Sequence, residues 1–360
     1  MSFPKTMKAV VVYGIEDYRL EEVPVPQIGP GEVLVRVRAT GVCASDVKVY
    51  YGAARAWGSE QLAPYVEAPV TTGHEFVGEV VALGEGAGEK HGLALGDLAV
   101  SEQIVPCWQC RFCLRDQYWM CQRHDIYGFK RHRAEGSWAE YMKFPVGALN
   151  YRVPSEVNPM HAALVEPLAC GIHAVDRGEI RSGDVVVISG MGPIGLCMLQ
   201  VARLKSPALL IALDLQQHRL QLARELGADM ALNPAEEDVI QRVLDLTDGY
   251  GCDVYVEATG AGAAVLQGLR MIRKLGTFVE FSVHAGPVAI DWSIIGDEKE
   301  LNVHGAHLGP YCYPRAIQYI ADGTVAADRI VTHALPLERF REAIELNHSQ
   351  TESVKVLLIP

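Results

Sequence analysis

The stretch VVVISGMGPIGLCMLQVARL, residues 185–204, decides the fold of this chain. It opens with a β-branched run that favours a strand, breaks at closely spaced glycines, and resumes with apolar residues at helical spacing. Its first eighteen residues carry no charged side chain, which is the length at which a helix can begin to span a membrane. A spanning helix would have to continue through the glycine-rich break, so we predict a strand, a glycine turn and a helix instead.

The glycines of this turn form the pattern G-x-G-x-x-G, which is typical of dinucleotide-binding sites. Gly190 allows the tight turn, Gly192 lets the backbone approach a pyrophosphate, and Gly195 permits close packing of the helix on the strand. Asp214 ends the next strand, where a carboxylate binds the ribose hydroxyls and repels a 2′-phosphate, so NAD is favoured over NADP. Arg219 leaves a phosphate-binding alternative open. The structural alternative to the whole site is a tightly packed turn without a cofactor.

Strands and helices alternate around this motif. From about residue 180, five apolar strand segments alternate with helices predicted at 193–204, 217–226, 236–247 and 261–273. This alternation predicts an α/β fold with a parallel, doubly wound sheet. Residues 1 to about 160 contain short strand segments separated by proline and glycine, which predicts a barrel-like domain. Because 360 residues exceed one ordinary core, we expect two domains, with the tail after residue 307 returning to the first.

Composition and charge exclude several classes of protein. Apolar residues make up 49% and charged residues 21% of the chain, which excludes collagen-like, disordered and small disulfide-rich proteins. A net charge of −12 without a cluster of basic residues argues against nucleic acid as a partner. The first residues lack the apolar run of a secretory signal, so we expect a cytoplasmic protein with neither structural disulfides nor a membrane partner.

Four of the nine cysteines follow the spacing C-x2-C-x2-C-x7-C. Cysteines in this pattern can surround one tetrahedral zinc ion with four thiolates, and these are Cys107, Cys110, Cys113 and Cys121. Because four protein ligands close the coordination shell, such a zinc is structural and performs no chemistry. An iron–sulfur cluster and redox-active dithiols are the alternatives, although the last gap is longer than in the bacterial ferredoxin motif.

A second set of potential metal ligands consists of Cys43 in GVCASD and of His74 and Glu75 in TTGHEFVG. A cysteine, a histidine and a carboxylate leave the fourth zinc position open for a substrate, as a catalytic zinc requires. Glu166, in EPLACG, is a second candidate for the carboxylate. Each residue also has an ordinary structural explanation, because a single buried cysteine is usually a small apolar residue and Glu166 can stabilise a helix N-terminus.

The motifs occur in the order GVCASD, GHEFVGEVVALG, the cysteine quartet, EPLACGIHA, GMGPIGL and VKVLLIP. In this order the chain resembles the zinc-dependent medium-chain dehydrogenases, the family of alcohol, sorbitol and threonine dehydrogenases, over essentially its full length. The resemblance implies a GroES-like β-barrel catalytic domain at 1–170, completed by 308–360, and a Rossmann NAD-binding domain at 171–307. It also implies an active site in the cleft between them, one catalytic and one structural zinc per chain, and a homodimer or homotetramer.

The resemblance also assigns roles around the catalytic zinc. Cys43, His74 and Glu75 correspond to zinc ligands of the polyol dehydrogenases. Glu166 takes the place of a cysteine ligand of the liver-type alcohol dehydrogenases. Whether Glu75 or Glu166 contacts the zinc directly stays open.

The resemblance extends to a proton relay and to the cofactor. Asp46 resembles the acid that holds the zinc-binding histidine, and Ser45 resembles the hydroxyl that begins the relay. Where the alcohol dehydrogenases end this relay in histidine, the chain has Lys48, which either carries the proton or binds a cofactor phosphate or ribose. Further cofactor contacts are implied at Pro193, Ile194, Ser282 and Val283.

Longer runs such as SEQIVPCWQC, HDIYGFKR and GAHLGPYCYP resemble the bacterial erythritol and L-threitol dehydrogenases within this family. They imply an NAD-dependent zinc alcohol dehydrogenase that oxidises a secondary hydroxyl of a small polyol to the ketose. Another polyol, an inositol or L-threonine is the alternative substrate. From another class of function, a zinc-stabilised, NAD-binding redox sensor without catalysis is the alternative, and it would be expected to lack a zinc ligand or a motif glycine.

Overall fold

The structure is a computed structural model that describes residues 4–360. The chain divides into two compact units, one formed by Met1–Glu166 with Tyr313–Pro360 and the other by Pro167–Cys312. The limits predicted from the sequence are residues 170 and 308, a few residues away. One helix, Val165–Arg177, runs through the first limit, so no loop marks it in the sequence.

The first unit begins with short strands and helices. Its strands are β1 (Thr6–Gly14), β2 (Asp17–Pro24), β3 (Val33–Val42), β4 (Val70–Thr71), β5 (Phe76–Leu83), β6 (Leu98–Ser101), β7 (Ile104–Val105), β8 (Asp125–Ile126), β9 (Tyr141–Phe144) and β10 (Asn150–Val153). Its helices are α1 (Ala44–Tyr50), α2 (Ala54–Trp57), α3 (Ala87–His91) and α4 (Pro159–Ala162), with 3₁₀ turns at Cys113–Arg115 and Tyr118–Met120. In β3, Arg36 and Arg38 are exposed and alternate with buried Val35, Val37 and Ala39, as expected of a strand with one buried face.

The second unit alternates helices and strands. Its elements are α5 (Val165–Arg177), which begins in the first unit, β11 (Val185–Ser189), α6 (Pro193–Arg203), β12 (Leu209–Leu213), α7 (Gln217–Glu225), β13 (Met230–Leu232), α8 (Val239–Leu246), β14 (Cys252–Glu257), α9 (Gly262–Met271), β15 (Ile272–Glu280), a 3₁₀ turn (Trp292–Ile294) and β16 (Asn302–Gly305). All six strands are parallel, in the order β13-β12-β11-β14-β15-β16. This is the doubly wound order of a dinucleotide-binding sheet, so the predicted α/β class is confirmed.

The apolar stretch at 185–202 forms β11 and most of α6, as predicted. A strand, a turn and an eleven-residue helix account for its lack of charge, because all three pack inside the unit. Within residues 4–360, none of the helices combines the length and the apolar composition that a membrane crossing requires.

The tail adds α10 (Tyr313–Ala321), α11 (Ala327–Ile330), β17 (Val331–Pro336), a 3₁₀ turn (Leu337–Arg339), α12 (Phe340–Ser349) and β18 (Lys355–Ile359). β18 pairs antiparallel with β3 and parallel with β17. The resulting sheet has the order β10-β6-β5-β3-β18-β17, with β9 also paired to β3. Smaller sheets β2-β1-β4 and β7-β8 complete the first unit. The tail therefore shares a sheet with the strand that leads to Cys43.

Candidate active site and zinc centres

Two neighbouring strands bring together the cysteine, histidine and glutamate of the predicted catalytic zinc site. β3 and β5 pair antiparallel, with Thr40 opposite Phe76. The end of β3 therefore lies beside the start of β5, which places Cys43, just after β3, next to His74 and Glu75, just before β5. A sulfur, an imidazole nitrogen and a carboxylate oxygen of these three residues all lie within 4.8 Å of one another.

Helix α1 holds this group through Asp46 and Ser45. Cys43 is the N-cap of α1, and its backbone N–H donates to Asp46 Oδ2 over 2.9 Å. Asp46 Oδ1 lies 3.4 Å from His74 Nδ1, and Ser45 Oγ lies 3.3 Å from His74 Nε2. Burial lowers the pKa of the His74 imidazole, but the Asp46 carboxylate and the Cys43 thiol together outweigh this effect and raise the pKa well above its ordinary value. Ser45 and Asp46 thus approach opposite nitrogens of the His74 ring.

The arrangement around His74 fits a zinc ion. Asp46 Oδ1 and His74 Nδ1 are buried and make no hydrogen bond of good geometry to any other described group. Their 3.4 Å approach resembles the carboxylate–histidine contacts that orient zinc ligands and leave the other ring nitrogen for the metal. Thiolate, imidazole and carboxylate are all ligand types that zinc accepts in proteins.

Glu75 is paired with a buried lysine that sequence analysis does not identify. Lys355, the first residue of β18, donates to Glu75 Oε2 and to the Val42 carbonyl, the latter over 3.2 Å. The side chains of Lys355 and Glu75 are each 1% exposed. Burial lowers the pKa of Lys355, but the Glu75 carboxylate and the Cys43 thiol outweigh it and raise the pKa. The sequence pattern that could have identified Lys355 is a single lysine in the otherwise apolar strand KVLLI.

Glu166 lies in the first turn of α5 and is buried. Among the residues that the structure describes, the 4.8 Å group around Cys43 does not include it. Its Oε1 accepts a hydrogen bond from Gln103 Nε2. Gln103 is held in turn by Tyr313, and neither residue is among the sequence-predicted site residues. Of the two candidate carboxylates, Glu75 is therefore the one grouped with Cys43 and His74.

Lys48, the predicted end of the proton relay, lies in the last turn of α1. It is exposed, and it follows Ser45 by three positions. Residues three apart share a face of a helix, so Lys48 and Ser45 lie on the same side of α1. The role of Lys48 in a relay stays a prediction.

The four cysteines of the quartet converge as their spacing predicts. The sulfur of Cys113 is 3.9 Å from that of Cys107 and 3.6 Å from that of Cys110. Thiolates placed about 2.3 Å from a tetrahedral zinc ion are about 3.8 Å apart, so the spacing fits that metal. Backbone N–H groups of Cys113 and Gln122 lower the pKa of the Cys110 thiol to about 6, which favours a thiolate there, whereas burial raises the pKa of the Cys113 thiol to about 12.

The glycine turn lies between β11 and α6. Gly190 has a φ of 100°, a conformation that side chains rarely allow. A Cβ at Gly195 would lie 1.7 Å from the Gly190 carbonyl oxygen, so only glycine permits this approach of helix to strand. A Cβ at Gly192 would meet its nearest neighbour at 3.8 Å, so the backbone is open there. Gly192 is the N-cap of α6 and Pro193 and Ile194 begin its first turn; Pro193 has no N–H, so the free N–H groups that favour an anion start at Ile194.

Asp214 and Arg219 both border this turn. Asp214 accepts hydrogen bonds from the backbone N–H of Met191 over 2.7 Å and of Gln216 over 2.8 Å. A guanidinium nitrogen of Arg219 is the atom 3.8 Å from the Cβ position at Gly192. Burial lowers the pKa of Arg219, against the opposing effect of the Asp214 carboxylate. The side chains predicted to select between NAD and NADP therefore lie beside the predicted pyrophosphate site.

The loop after β15 carries the other predicted cofactor contacts. The Ser282 N–H donates to Glu280 Oε1 over 2.9 Å, and Val283 is exposed. Glu280 lies opposite Glu257 in the parallel register. His284 Nε2 lies 3.1 Å from Glu280 Oε1 and 3.8 Å from Glu257 Oε2. This cluster is not predicted from the sequence, because it depends on the register of β14 and β15.

Two family models match the chain, one for the alcohol dehydrogenase GroES-like domain at residues 29–155 and one for zinc-binding dehydrogenases at residues 193–322. An erythritol/L-threitol dehydrogenase from Mycolicibacterium smegmatis is 54% identical over 357 residues, which cover 99% of this chain and 98% of the relative. The chain belongs to the zinc-dependent medium-chain dehydrogenases. An L-threonine 3-dehydrogenase from Pyrococcus abyssi is 36% identical over 94% of either chain.

A solved structure from Sinorhizobium meliloti 1021, bound to NADP, matches this medium-chain dehydrogenase with a TM-score of 0.90 and 30% identity, covering 99% of this chain and 100% of the other. The matches confirm the predicted fold, a GroES-like domain with a Rossmann domain, and the predicted enzyme class, a dehydrogenase. Zinc is the metal that the family description names. Both ligand groups of the first unit, the cysteine quartet and the group around Cys43, have donor sets that suit it.

Proposed function

We propose that this medium-chain dehydrogenase oxidises a secondary hydroxyl of a small polyol, of the erythritol and threitol class, to the corresponding ketose with NAD. The observation that carries the proposal is the 54% identity to an erythritol/L-threitol dehydrogenase over 99% of the chain. The convergence of Cys43, His74 and Glu75 supports it, because a dehydrogenase of this family needs a metal site with an open position.

In this proposal Cys43 and His74 hold the catalytic zinc, with Glu75 or Glu166 as the carboxylate. Zinc supplies a Lewis acid there, which lowers the pKa of a bound hydroxyl. Asp46 supports the site by orienting the His74 ring from its Nδ1 side. Lys355 supports it by balancing the charge of Glu75, which would otherwise be costly to bury.

Ser45 is the proposed first acceptor of the substrate proton. Its hydroxyl lies 3.3 Å from His74 Nε2, the ring nitrogen that the Asp46 contact leaves for the metal. A hydroxyl in this place can accept a proton from a substrate oxygen and donate its own toward solvent. Lys48 lies exposed on the same face of α1, in a position suited to carry the proton onward or to bind a cofactor phosphate.

NAD is the proposed hydride acceptor. The open backbone at Gly192 and the N-terminus of α6, with Pro193 and Ile194, support pyrophosphate binding. Asp214 supports NAD over NADP, because its carboxylate accepts ribose hydroxyls and repels a 2′-phosphate. Ser282 and Val283 are proposed to line the remainder of the cofactor site. The NADP in the matched structure and the position of Arg219 make NADP the competing cofactor, and kcat/KM with each cofactor decides between them.

The substrate is the part of the proposal that needs a direct test. We would measure NAD reduction with tetritols, pentitols, hexitols, inositols and L-threonine, and count zinc on the same sample. We expect the highest kcat/KM with a tetritol and about two zinc ions per chain. L-Threonine is the second candidate, because a threonine dehydrogenase is 36% identical over 94% of the chain. If no compound in the panel reduced NAD, the proposed function would fail.

The proposal includes a homodimer or homotetramer that works in the cytoplasm on small molecules. Within residues 4–360 no disulfide joins any of the nine cysteines, as a reducing compartment favours. A net charge of −12 supports a small-molecule enzyme over a nucleic-acid-binding protein. Light scattering from the purified protein measures the number of subunits, and a monomeric mass would contradict the oligomer.

A further inference from the structure

A buried glutamine contacts one of the two candidate zinc carboxylates. Gln103 lies just before β7 and is 2% exposed. Its Nε2 donates a hydrogen bond to Oε1 of Glu166. Such a hydrogen bond orients a buried carboxylate and offsets part of the free-energy cost of removing it from water. A buried carboxylate without hydrogen-bond partners would destabilise the folded protein.

The orientation of the Gln103 amide follows from its contacts with Tyr313. The Tyr313 hydroxyl accepts a hydrogen bond from the backbone N–H of Gln103 over 3.1 Å and donates its own proton to Gln103 Oε1 over 2.9 Å. Because Oε1 is then an acceptor, the other end of the amide is the N–H₂ group, which faces Glu166. Tyr313 is itself 1% exposed, so water does not compete freely with these bonds.

We propose that Gln103, locked in one amide orientation by Tyr313, is a positioning residue that fixes the direction of the Glu166 carboxylate, the candidate zinc carboxylate that lies outside the 4.8 Å group of Cys43, His74 and Glu75. This inference rests on the proposed function, because it concerns the same site. It assigns to Glu166 a set direction that neither the zinc-ligand pattern nor the family match specifies. Groups that orient metal-site residues typically contribute about 10–100-fold to metal affinity or activity.

The fold supplies a matched control for this contact. The ring of Tyr313 stacks on that of Tyr151, with centroids 5.7 Å apart and planes inclined by 24°. The hydroxyl of Tyr151 donates to Glu102 Oε1 over 2.8 Å and takes no part in the bonds between Tyr313 and Gln103. Tyr313→Phe and Tyr151→Phe therefore remove the same chemical group from two stacked rings, and only the first releases the Gln103 amide.

The test compares Tyr313→Phe, Gln103→Met and Tyr151→Phe in the full-length, zinc-loaded protein. For each variant we would measure kcat and KM for the best polyol, KM for NAD, and the affinity of the Cys43 site for cobalt by chelator competition. We expect Tyr313→Phe and Gln103→Met to lose about 10-fold or more in kcat or in cobalt affinity, with KM for NAD unchanged. We expect the kcat and the cobalt affinity of Tyr151→Phe to stay within about 2-fold of the wild-type values. In this variant the Gln103 amide keeps its hydrogen bonds to Tyr313 and Glu166.

The inference is overturned if Tyr313→Phe matches Tyr151→Phe in both kcat and cobalt affinity. It is also overturned if both tyrosine variants lose kcat and cobalt affinity to the same extent. Such a loss would come from weaker packing of the stacked Tyr313 and Tyr151 rings rather than from release of the Gln103 amide. Zinc retained by the cysteine quartet reports that each variant is folded. If the wild type oxidised no polyol, the proposed function would fail, while cobalt affinity would still compare the variants and test the positioning of Glu166.

Discussion

Replacing Glu102 with glutamine should stabilise the protein at alkaline pH and leave its stability nearly unchanged at acid pH. Glu102 is 1% exposed, and its Oε1 accepts hydrogen bonds from the hydroxyls of Tyr118 over 2.9 Å and of Tyr151 over 2.8 Å. Burial raises the pKa of this carboxyl from 4.5 to about 7, although both hydroxyls act in the opposite direction. A glutamine keeps an acceptor oxygen for the two tyrosines but has no proton to lose.

The size of the effect follows from this raised pKa. Well below pH 4.5 the carboxyl is neutral in both the folded and the unfolded chain. Between pH 4.5 and about 7 the unfolded chain ionises this carboxyl while the folded protein keeps it protonated, so the wild type loses stability over this range and no further above it. At about 1.4 kcal/mol per pH unit, the rise from 4.5 to about 7 corresponds to about 3 kcal/mol. The advantage of Glu102→Gln should therefore grow to about 3 kcal/mol across this range.

The assay is urea unfolding of wild type and Glu102→Gln at about pH 5, 7 and 9, with zinc in excess so that metal loss does not dominate. Glu60→Gln, at an exposed position, controls for the loss of one carboxyl group. A stability difference that does not change with pH would refute the reasoning, because it would mean that the two tyrosine hydrogen bonds cancel the cost of burial.

Three further predictions concern the other sites. Cys43→Ala should abolish polyol oxidation yet retain NAD binding and the zinc of the cysteine quartet, and turnover by this variant with its site empty would contradict the assignment. Asp214→Ala should lower the ratio of kcat/KM for NAD to that for NADP by about 10-fold, because it removes the charge that repels a 2′-phosphate. An unchanged ratio would mean that Asp214 does not select the cofactor. Lys355→Met should lower the free energy of unfolding in urea by about 3–5 kcal/mol, because it leaves the Glu75 carboxylate buried without its cation. The double variant Lys355→Met/Glu75→Gln should recover much of this loss. A loss below about 1 kcal/mol would show that the pair is not needed.

The parts of the site that can be predicted from the sequence are motifs whose residues lie close together along the chain. The glycine turn is an example, because Gly190 and Gly195 are needed for contacts within one strand, turn and helix. The cysteine quartet is another, since fifteen residues are enough to surround one metal ion. In both cases the chemistry of a few neighbouring residues nearly determines the local geometry.

The partners that sequence does not predict come from distant parts of the chain. Lys355 and Glu75 are separated by 280 positions, and Tyr313 and Gln103 by 210. Their pairing depends on the order of strands β5, β3 and β18 and on the return of the tail, which no local pattern specifies. The same limit applies to the choice between Glu75 and Glu166, because a carboxylate's neighbours, rather than its motif, decide what it can bind.

The pairing of β18 with β3 has a consequence for how the protein is made. A nascent chain that has emerged through residue 330 already exposes Cys43, His74 and Glu75, but Lys355, whose cation neutralises Glu75, has not yet left the ribosome. Until β18 has added to the sheet beside β3, the site carries an uncompensated carboxylate, and its affinity and selectivity for metal ions differ from those of the finished protein. We therefore expect the cysteine quartet to load its zinc during translation and the Cys43 site to reach its final metal affinity only after residue 355 has left the ribosome.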